Sequence, residues 1–221
     1  HNWSDCSNSG NITFSGEAGL SGTGNVKLGG MMASMSFSGT YDPIHKITNG
    51  FTNSGNVTYD GKLLSEAGNV YVGGIIGDLK LNTKTVDWNG LVVNTGTLSL
   101  LGSYKGESYM GGIIGDTNRS FANCVSLCEM QAANAQNCGM IVGTMRSSDI
   151  IVSNCQVGGC FYKFDSADFS HKAIEIAEDN YFNYIYGSGE NTDWTGTDNY
   201  DGTTVITEAP SLTPTTPEVP T

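Results

Sequence analysis

Short runs of alternating apolar and polar residues recur along this chain, and glycine-rich corners separate them. One pattern, called the Gly-Gly segment, occurs at 28–33 (LGGMMA), 72–77 (VGGIIG), 110–115 (MGGIIG) and, more loosely, 138–143 (CGMIVG). A second pattern, called the Asn segment, alternates with it at 8–13 (NSGNIT), 53–58 (NSGNVT) and 94–99 (NTGTLS). Alternation with period two is typical of short strands that bury one face. Each repeat is therefore predicted to contain at least two strands.

The Asn segments align on their glycine, and the alignment extends to five copies when Cys128 and Gly159 take the glycine position. The spacings between successive copies are 45, 41, 32 and 31 residues. Two positions after the glycine stand Ile12, Val57, Leu98, Met130 and Phe161. Four positions before it stand Cys6, Phe51, Val92, Cys124 and Cys155. Because both columns are apolar or cysteine throughout, we expect their side chains to point inward and to stack.

Internal repeats of this kind stack on their neighbours, because one unit alone cannot bury its own apolar face. The sequence therefore predicts an all-β fold, a right-handed parallel β-helix (β-solenoid) of about four to five irregular rungs over 1–161. An aromatic C-terminal cap is predicted over 162–207, and a Pro/Thr-rich tail or linker over 208–221. The irregular spacing also fits an antiparallel β-sandwich with long loops, which remains the alternative.

The chain is acidic, with a formal net charge of −12 and an isoelectric point near 4.4. Phosphate backbones and anionic membrane surfaces repel such a protein, so nucleic acid is not an expected partner. No stretch approaches the ~20 apolar residues of a membrane span. Scarce lysine and abundant Asn, Thr, Ser and Gly fit an exported protein at the outer cell surface. We expect a monomer or a part of a larger surface protein.

Six cysteines are present: Cys6, Cys124, Cys128, Cys138, Cys155 and Cys160. Several of them occupy inward columns, where cysteine packs as a small hydrophobic residue. This favours reduced core thiols. Disulfides remain an alternative, since an exported protein permits them. A zinc site is a third interpretation, but the Cys124-x-x-x-Cys128 spacing lacks a second ligand pair.

No motif with catalytic geometry is recognisable, and His1, His45 and His171 are scattered. Asp78 and Asp116 occupy equivalent positions directly after a Gly-Gly segment. Two stacked acids can bind a cation, but an exposed corner is the simpler expectation. The alternative to a non-enzymatic protein is a polysaccharide lyase or glycoside hydrolase on a β-helix, which needs paired carboxylates or a base beside calcium.

Binding surfaces of repeat proteins concentrate on the loops that project between repeated segments. Four such loops are 38–46, 81–89, 101–108 and 187–202, and they contain the candidate ligand-contact aromatics Tyr41, Trp88, Tyr104 and Trp194. The expected ligand is a glycan or a host protein, and the alternative is that these rings only pin their own loops. The oxygen-rich loop 189–202 suggests calcium, but its spacing does not match an EF-hand. No cofactor is therefore predicted.

The Gly-Gly segment at 72–77 and the pairs Asn123-Cys124 and Asn154-Cys155 resemble the GLUG repeat. The resemblance covers roughly residues 5–161, and the closing segment around Trp194 is similar to the end of related proteins. This family implies a β-solenoid on the surface of bacteria, many of them gut Bacteroidetes, with adhesin-like roles. Relatives lie beside the catalytic domains of immunoglobulin A peptidases, but their His-Glu-x-x-His motif is absent from this sequence. Ala33 and Met140 depart from the family's glycines.

Overall fold

The computed structural model describes residues 2–18, 24–37, 45–81, 86–133, 137–147, 150, 152–157, 160–164 and 186–189. All regular structure within these residues is β-strand. The first half contains β1 (Asn2–Trp3), β2 (Cys6–Asn8), β3 (Ile12–Phe14), β4 (Glu17–Ala18), β5 (Val26–Gly29), β6 (Met32–Phe37), β7 (His45–Ile47), β8 (Phe51–Asn53), β9 (Val57–Tyr59), β10 (Lys62–Leu63), β11 (Val70–Gly73), β12 (Ile76–Leu81) and β13 (Val86–Trp88). The second half contains β14 (Val92–Asn94), β15 (Leu98–Leu100), β16 (Ser108–Gly111), β17 (Ile114–Thr117), β18 (Phe121–Ser126), β19 (Glu129–Ala133), β20 (Asn137–Gly139), β21 (Val142–Met145), β22 (Val152–Val157), β23 (Cys160–Phe164) and β24 (Tyr186–Gly189).

These strands form sheets in which each strand pairs with its equivalents from neighbouring repeats. The larger sheets have the orders β2-β8-β14-β18-β22, β23-β19-β15-β9-β3, β20-β16-β11-β5 and β24-β21-β17-β12-β6. Two smaller sheets have the orders β1-β7-β13 and β10-β4. The chain passes through the four larger sheets in the same sequence in each of its first four repeats. We number these repeats by their first strand: β2, β8, β14, β18 and β22 begin repeats 1 to 5.

Every described strand pair is parallel, which confirms the prediction of an all-β protein with parallel sheets and not the antiparallel alternative. The pairing also confirms both predicted columns. The first column runs through the Cα partners Ile12, Val57, Leu98, Met130 and Phe161. The second runs through Cys6, Phe51, Val92, Cys124 and Cys155. Insertions between segments change the spacing along the chain but leave the pairing register unchanged.

The core lies between these sheets, and its interior columns are fully enclosed. Val57, Leu98 and Met130 are all 0% exposed. The first repeat is less covered within the described part, since Ile12 is only partly buried. The side chain of Phe161 lies outside the described part. Burial therefore increases from the first repeat inward, because an interior repeat has a neighbour on both sides and the first has one.

The Asn segments build a ladder of stacked side-chain amides inside the molecule. The Asn8 amide nitrogen donates to the Asn53 side-chain oxygen at 2.8 Å, and that of Asn53 donates to Asn94 at 2.8 Å. Asn53 also donates to the Gly55 carbonyl, and Asn94 to the Gly112 carbonyl. Asn53 and Asn94 are fully buried. The ladder satisfies polar groups that would otherwise be costly to bury.

The second glycine of each Gly-Gly segment is required because the backbone of the next repeat and this amide ladder both pack against it. A Cβ atom at Gly30 would overlap the Asn53 side chain, and one at Gly74 would overlap Asn94. At Gly112 it would overlap the Ser126 hydroxyl, which takes the place of the amide in the next repeat. Glycine and asparagine therefore occur together because each accommodates the other. Where Met140 replaces the glycine, the register places Val157 in the asparagine column.

We expect Asn53→Ala to lower the free energy of unfolding by about 2 kcal/mol, because the buried Asn94 oxygen and Gly55 carbonyl each lose a donor. Urea unfolding monitored by circular dichroism measures this loss. Asn11→Ala is the matched control. Asn11 is exposed, and its side chain accepts one bond from the Asn56 backbone N–H. An equal loss in both variants would contradict a special role for the buried ladder.

The predicted division of the chain at 161 and 207 stays a prediction, because few of the residues concerned are described. Strand β24 pairs in parallel with β21 and so adds to one of the sheets from within the predicted cap. Residues 165–185 and 190–221, which include most of the predicted cap and the whole predicted tail, lie outside the described residues.

Candidate functional site

The four aromatic residues predicted to contact a ligand are not brought together by the described structure. Tyr41 and Trp194 lie outside the described residues, as does nearly all of the oxygen-rich loop 189–202. Trp88 and Tyr104 are described, and their environments differ.

Trp88 belongs to the core. It is 6% exposed and packs edge-to-face on Phe121, with ring centroids 6.2 Å apart and an interplanar angle of 62°. It lies at the end of β13, in register with Ile47 of the preceding repeat. This burial favours the alternative that the ring packs locally over the predicted ligand contact. The sequence predicted a loop at Trp88, because a single Trp beside Asp87 is too short a run to show the alternation of a strand.

Tyr104 is half-buried and is held by its own surroundings. Its hydroxyl donates to the Ser108 hydroxyl at 2.9 Å, and its ring meets that of Tyr59 edge-on at 6.4 Å. Burial raises the pKa of Tyr104 above its ordinary value. Of the two described candidates, Tyr104 is the less buried, so it remains the candidate for a ligand contact.

The densest cluster of charge lies elsewhere, around Asp78 and Asp116. The two residues are Cα partners on β12 and β17, as the sequence column predicted. The expectation of an exposed corner is wrong, however, because their exposures are 1% and 0%. The neighbouring positions in the column are Ser34 and Thr144. Both carboxylates therefore need cations nearby, since an unpaired buried charge is very costly.

Three basic side chains from different repeats supply these cations. Lys27 lies 2.5 Å from Asp78, and Lys80 lies between the two acids, 3.4 Å from Asp78 and 3.0 Å from Asp116. The Arg146 Nε donates to Asp116 at 2.6 Å. The five groups form a continuous row of alternating charge, which we call the charged row. Their basic side chains are 30–39% exposed, so the row lies at the surface above buried carboxylates.

A stack of tyrosines supports the charged row. Tyr71 and Tyr109 are Cα partners whose rings stack with centroids 5.0 Å apart. Lys80 lies 5.0 Å from the Tyr71 centroid, and the Arg146 guanidinium lies 5.1 Å from that of Tyr109. Cation–π attraction adds to the ion pairs at this distance. The tyrosine hydroxyls bond to Asn69 and Glu107.

The electrostatics of the row favour the charged forms of the bases. Burial by itself would lower the pKa of Lys80, but the Asp116 and Asp78 carboxylates raise it above its ordinary value. Arg146 likewise has a raised pKa, because its bond to Asp116 outweighs burial. The three bases contact both oxygens of Asp78 and the Oδ2 of Asp116, so the two acids neutralise cations and tie repeats together. The Oδ1 of Asp116 is buried without a hydrogen-bond partner among the described residues. In the part of the chain that the structure describes, no group of three His, Cys, Asp or Glu residues could hold a metal ion.

The sequence brought Asp78 and Asp116 into one column but missed their partners. Lys27 and Arg146 come from repeats on either side, 51 and 30 residues away from the acids they contact. Their positions follow from the stacking of repeats and not from local spacing. The sequence did contain one signal. The position directly before each Gly-Gly segment holds Lys27 in the first repeat and Tyr71 and Tyr109 in the next two, so a cation and two rings share one column.

We expect the folded protein to lose stability between about pH 10 and pH 12. Burial raises the pKa of Tyr59 and of Tyr109 to about 12. Unfolded tyrosines ionise near pH 10, so between these values the unfolded state has lost protons that the native state still holds, and unfolding is favoured as pH rises. Absorbance titration at 295 nm should show late-ionising tyrosines in native protein and a single transition near pH 10 in urea. Identical curves would contradict this assignment.

The described residues contain no helix with the length and apolar character needed to cross a membrane. Comparison with known proteins yields no match to a family model, to a curated protein or to a solved structure. The function must therefore be inferred from the residues and their arrangement.

Proposed function

We propose that this chain is a right-handed parallel β-solenoid that acts as a non-enzymatic, adhesin-like binding scaffold at the bacterial cell surface. The observation that supports it best is the in-register parallel pairing of equivalent strands from repeat to repeat. A parallel connection between strands of one sheet is right-handed in nearly all proteins, which supports the handedness. The repeat segments give about four to five rungs, with the aromatic residues after 161 as the cap.

The polar groups of the repeats support a scaffold rather than a catalyst. The amide ladder, the charged row and the tyrosine stack each join one repeat to the next. The enzymatic alternative needs a carboxylate that is free to accept or donate a proton to substrate. Asp78 and Asp116, the paired acids of this chain, are buried and neutralised by bases. No described feature favours the alternative over the scaffold.

The surface location rests on composition and on the resemblance to GLUG repeats. An acidic chain rich in Asn, Thr, Ser and Gly, with a Pro/Thr-rich end, suits an exported protein. The resemblance adds bacterial surface proteins, including those of Bacteroidetes, and adhesin-like roles. We propose a glycan or a host protein as ligand. The binding surface would lie on the loops between the repeated segments, of which 101–108 with Tyr104 is described best.

An array of glycans and extracellular-matrix proteins tests this proposal with the purified chain. We expect specific, saturable binding to one ligand class and no turnover of a polysaccharide panel by the same preparation. Tyr104→Ala should weaken binding, whereas Tyr104→Phe, which keeps the ring, should retain it. Turnover that is lost on replacing Asp78 or Asp116 by asparagine would establish the enzymatic alternative instead. Absence of any ligand on a comprehensive array would refute the adhesin-like role.

A further inference from the structure

Two cysteines face each other across neighbouring repeats near the end of the described stack. Cys124 on β18 and Cys155 on β22 are Cα partners. They are 0% and 1% exposed, and both point into the apolar column that also contains Val92. Each thiol donates to a backbone carbonyl on its own strand at 3.3 Å, Cys124 to Ala122 and Cys155 to Ser153. Burial, and after it the neighbouring Cys155, raises the pKa of the Cys124 thiol. Neither cysteine is part of a disulfide in the described structure.

This pair is distinct from the other described cysteines. Cys6 shares the column but is separated from Cys124 by Phe51 and Val92. The Cys128 sulfur contacts the Ser126 hydroxyl at 3.2 Å, and Cys138 is the Cα partner of Met110. Among the described strand pairings, Cys124 and Cys155 are the one place where two cysteines stand directly opposite.

The pairing geometry is close to that of a disulfide but does not match it fully. Neighbouring strands lie about 4.8 Å apart, within the Cα separations of about 4.4–6.8 Å that disulfides span. Side chains at paired positions of parallel strands project in the same direction, so their Cβ atoms are separated by nearly the strand spacing. Disulfides prefer about 3.5–4.5 Å between Cβ atoms. A bridge between these strands would pull them slightly together and would be easier to reduce than an unstrained one.

We propose that Cys124 and Cys155 form a reversible, oxidation-dependent cross-link that ties repeat 5 to repeat 4. The oxidant is a low-molecular-weight disulfide. One cysteine thiolate attacks a sulfur of the reagent, forms a mixed disulfide and releases one thiolate. The second cysteine then attacks the protein sulfur of that mixed disulfide and releases the second thiolate. The two protein thiols give up two electrons and two protons, and the reagent leaves as two thiols.

Burial determines when this reaction proceeds. The reagent cannot reach sulfurs that are at most 1% exposed while β22 is packed on β18. Oxidation therefore occurs while the chain folds or when β22 separates from β18 by local opening. The cross-link closes a loop of about 30 residues, which restricts the unfolded chain and so stabilises the repeat.

Refolding the chain in a mixture of oxidised and reduced glutathione tests the proposal. Alkylation and intact mass should show two thiols fewer than in protein refolded with dithiothreitol, and non-reducing peptide mapping should join the peptides of Cys124 and Cys155. We expect a rise of about 5 °C in Tm, because loop closure outweighs strain. Native protein exposed to the same buffer should react much more slowly.

Cys124→Val and Cys155→Val should each abolish both the cross-link and the gain in Tm. Valine suits this column, since Val92 already occupies it. Cys138→Val is the matched control, because it replaces another buried cysteine whose column contains Val72, and it should leave the cross-link intact. Six alkylated thiols after oxidative refolding, or a different pair in the peptide map, would overturn the proposal. The map of the unaltered chain decides this even where a variant fails to fold.

Discussion

Gly74→Ala is expected to lower the free energy of unfolding by about 4 kcal/mol, because the added methyl group overpacks the contact between two repeats. The new Cβ would overlap the Gly112 backbone oxygen and the Asn94 side-chain amide. Neither group can move freely, because the Asn94 amide itself donates to Gly112. Relief of the overlap therefore requires two repeats to separate. Urea unfolding, followed by both far-ultraviolet circular dichroism and tryptophan fluorescence, measures the loss.

Gly16→Ala is the control for the general effect of replacing glycine. A Cβ atom at Gly16 has nothing within 4 Å, so its stability should change by less than about 1 kcal/mol in either direction. A similar cost at both positions would show that backbone freedom, and not contact between repeats, explains the repeated glycine. The joint occurrence of glycine and asparagine would then have no basis in their mutual packing.

Trp88→Ala is expected to lower the free energy of unfolding by about 3 kcal/mol through the cavity left in the core. The ring is 6% exposed and packs against Phe121, and its backbone carbonyl accepts a bond from Asn123 that the substitution leaves in place. The indole N–H has no hydrogen-bond partner among the described residues. The loss of stability in Trp88→Ala therefore measures the packing of the ring and not a lost hydrogen bond. Differential scanning calorimetry should show a lower Tm.

Trp3→Ala is the matched control, because Trp3 occupies the same column as Trp88, with Ile47 between them, but is only partly buried. Its replacement should cost about 1 kcal/mol, in proportion to the smaller apolar area removed from water. If Trp88→Ala leaves stability unchanged and abolishes binding to a ligand found on the array, the packing role assigned to Trp88 is wrong. The residue would then belong to the binding surface.

Trp88 and Tyr104 show how well the sequence alone predicts which loop residues are exposed. Sequence alone placed Trp88 and Tyr104 between repeated segments, where side chains can project outward. Tyr104 remains partly exposed, whereas Trp88 forms the end of a short strand and is buried. A three-residue strand has too few positions for its alternation to be recognised, and only the partner strand β7 defines which face is buried.

Only the strand pairing excluded the antiparallel alternative. The sequence by itself determined the all-β class, the strands of the Asn and Gly-Gly segments and the two columns through Val57 and Phe51. It could do so because each repeat presents the same pattern, so equivalent positions meet when the repeats stack. Only the tertiary structure decided that Asp78 and Asp116 are buried, and that Lys27 and Arg146 neutralise them. Those contacts join side chains from different positions in different repeats, and their distances depend on how far each insertion displaces the chain, which a periodic pattern does not encode.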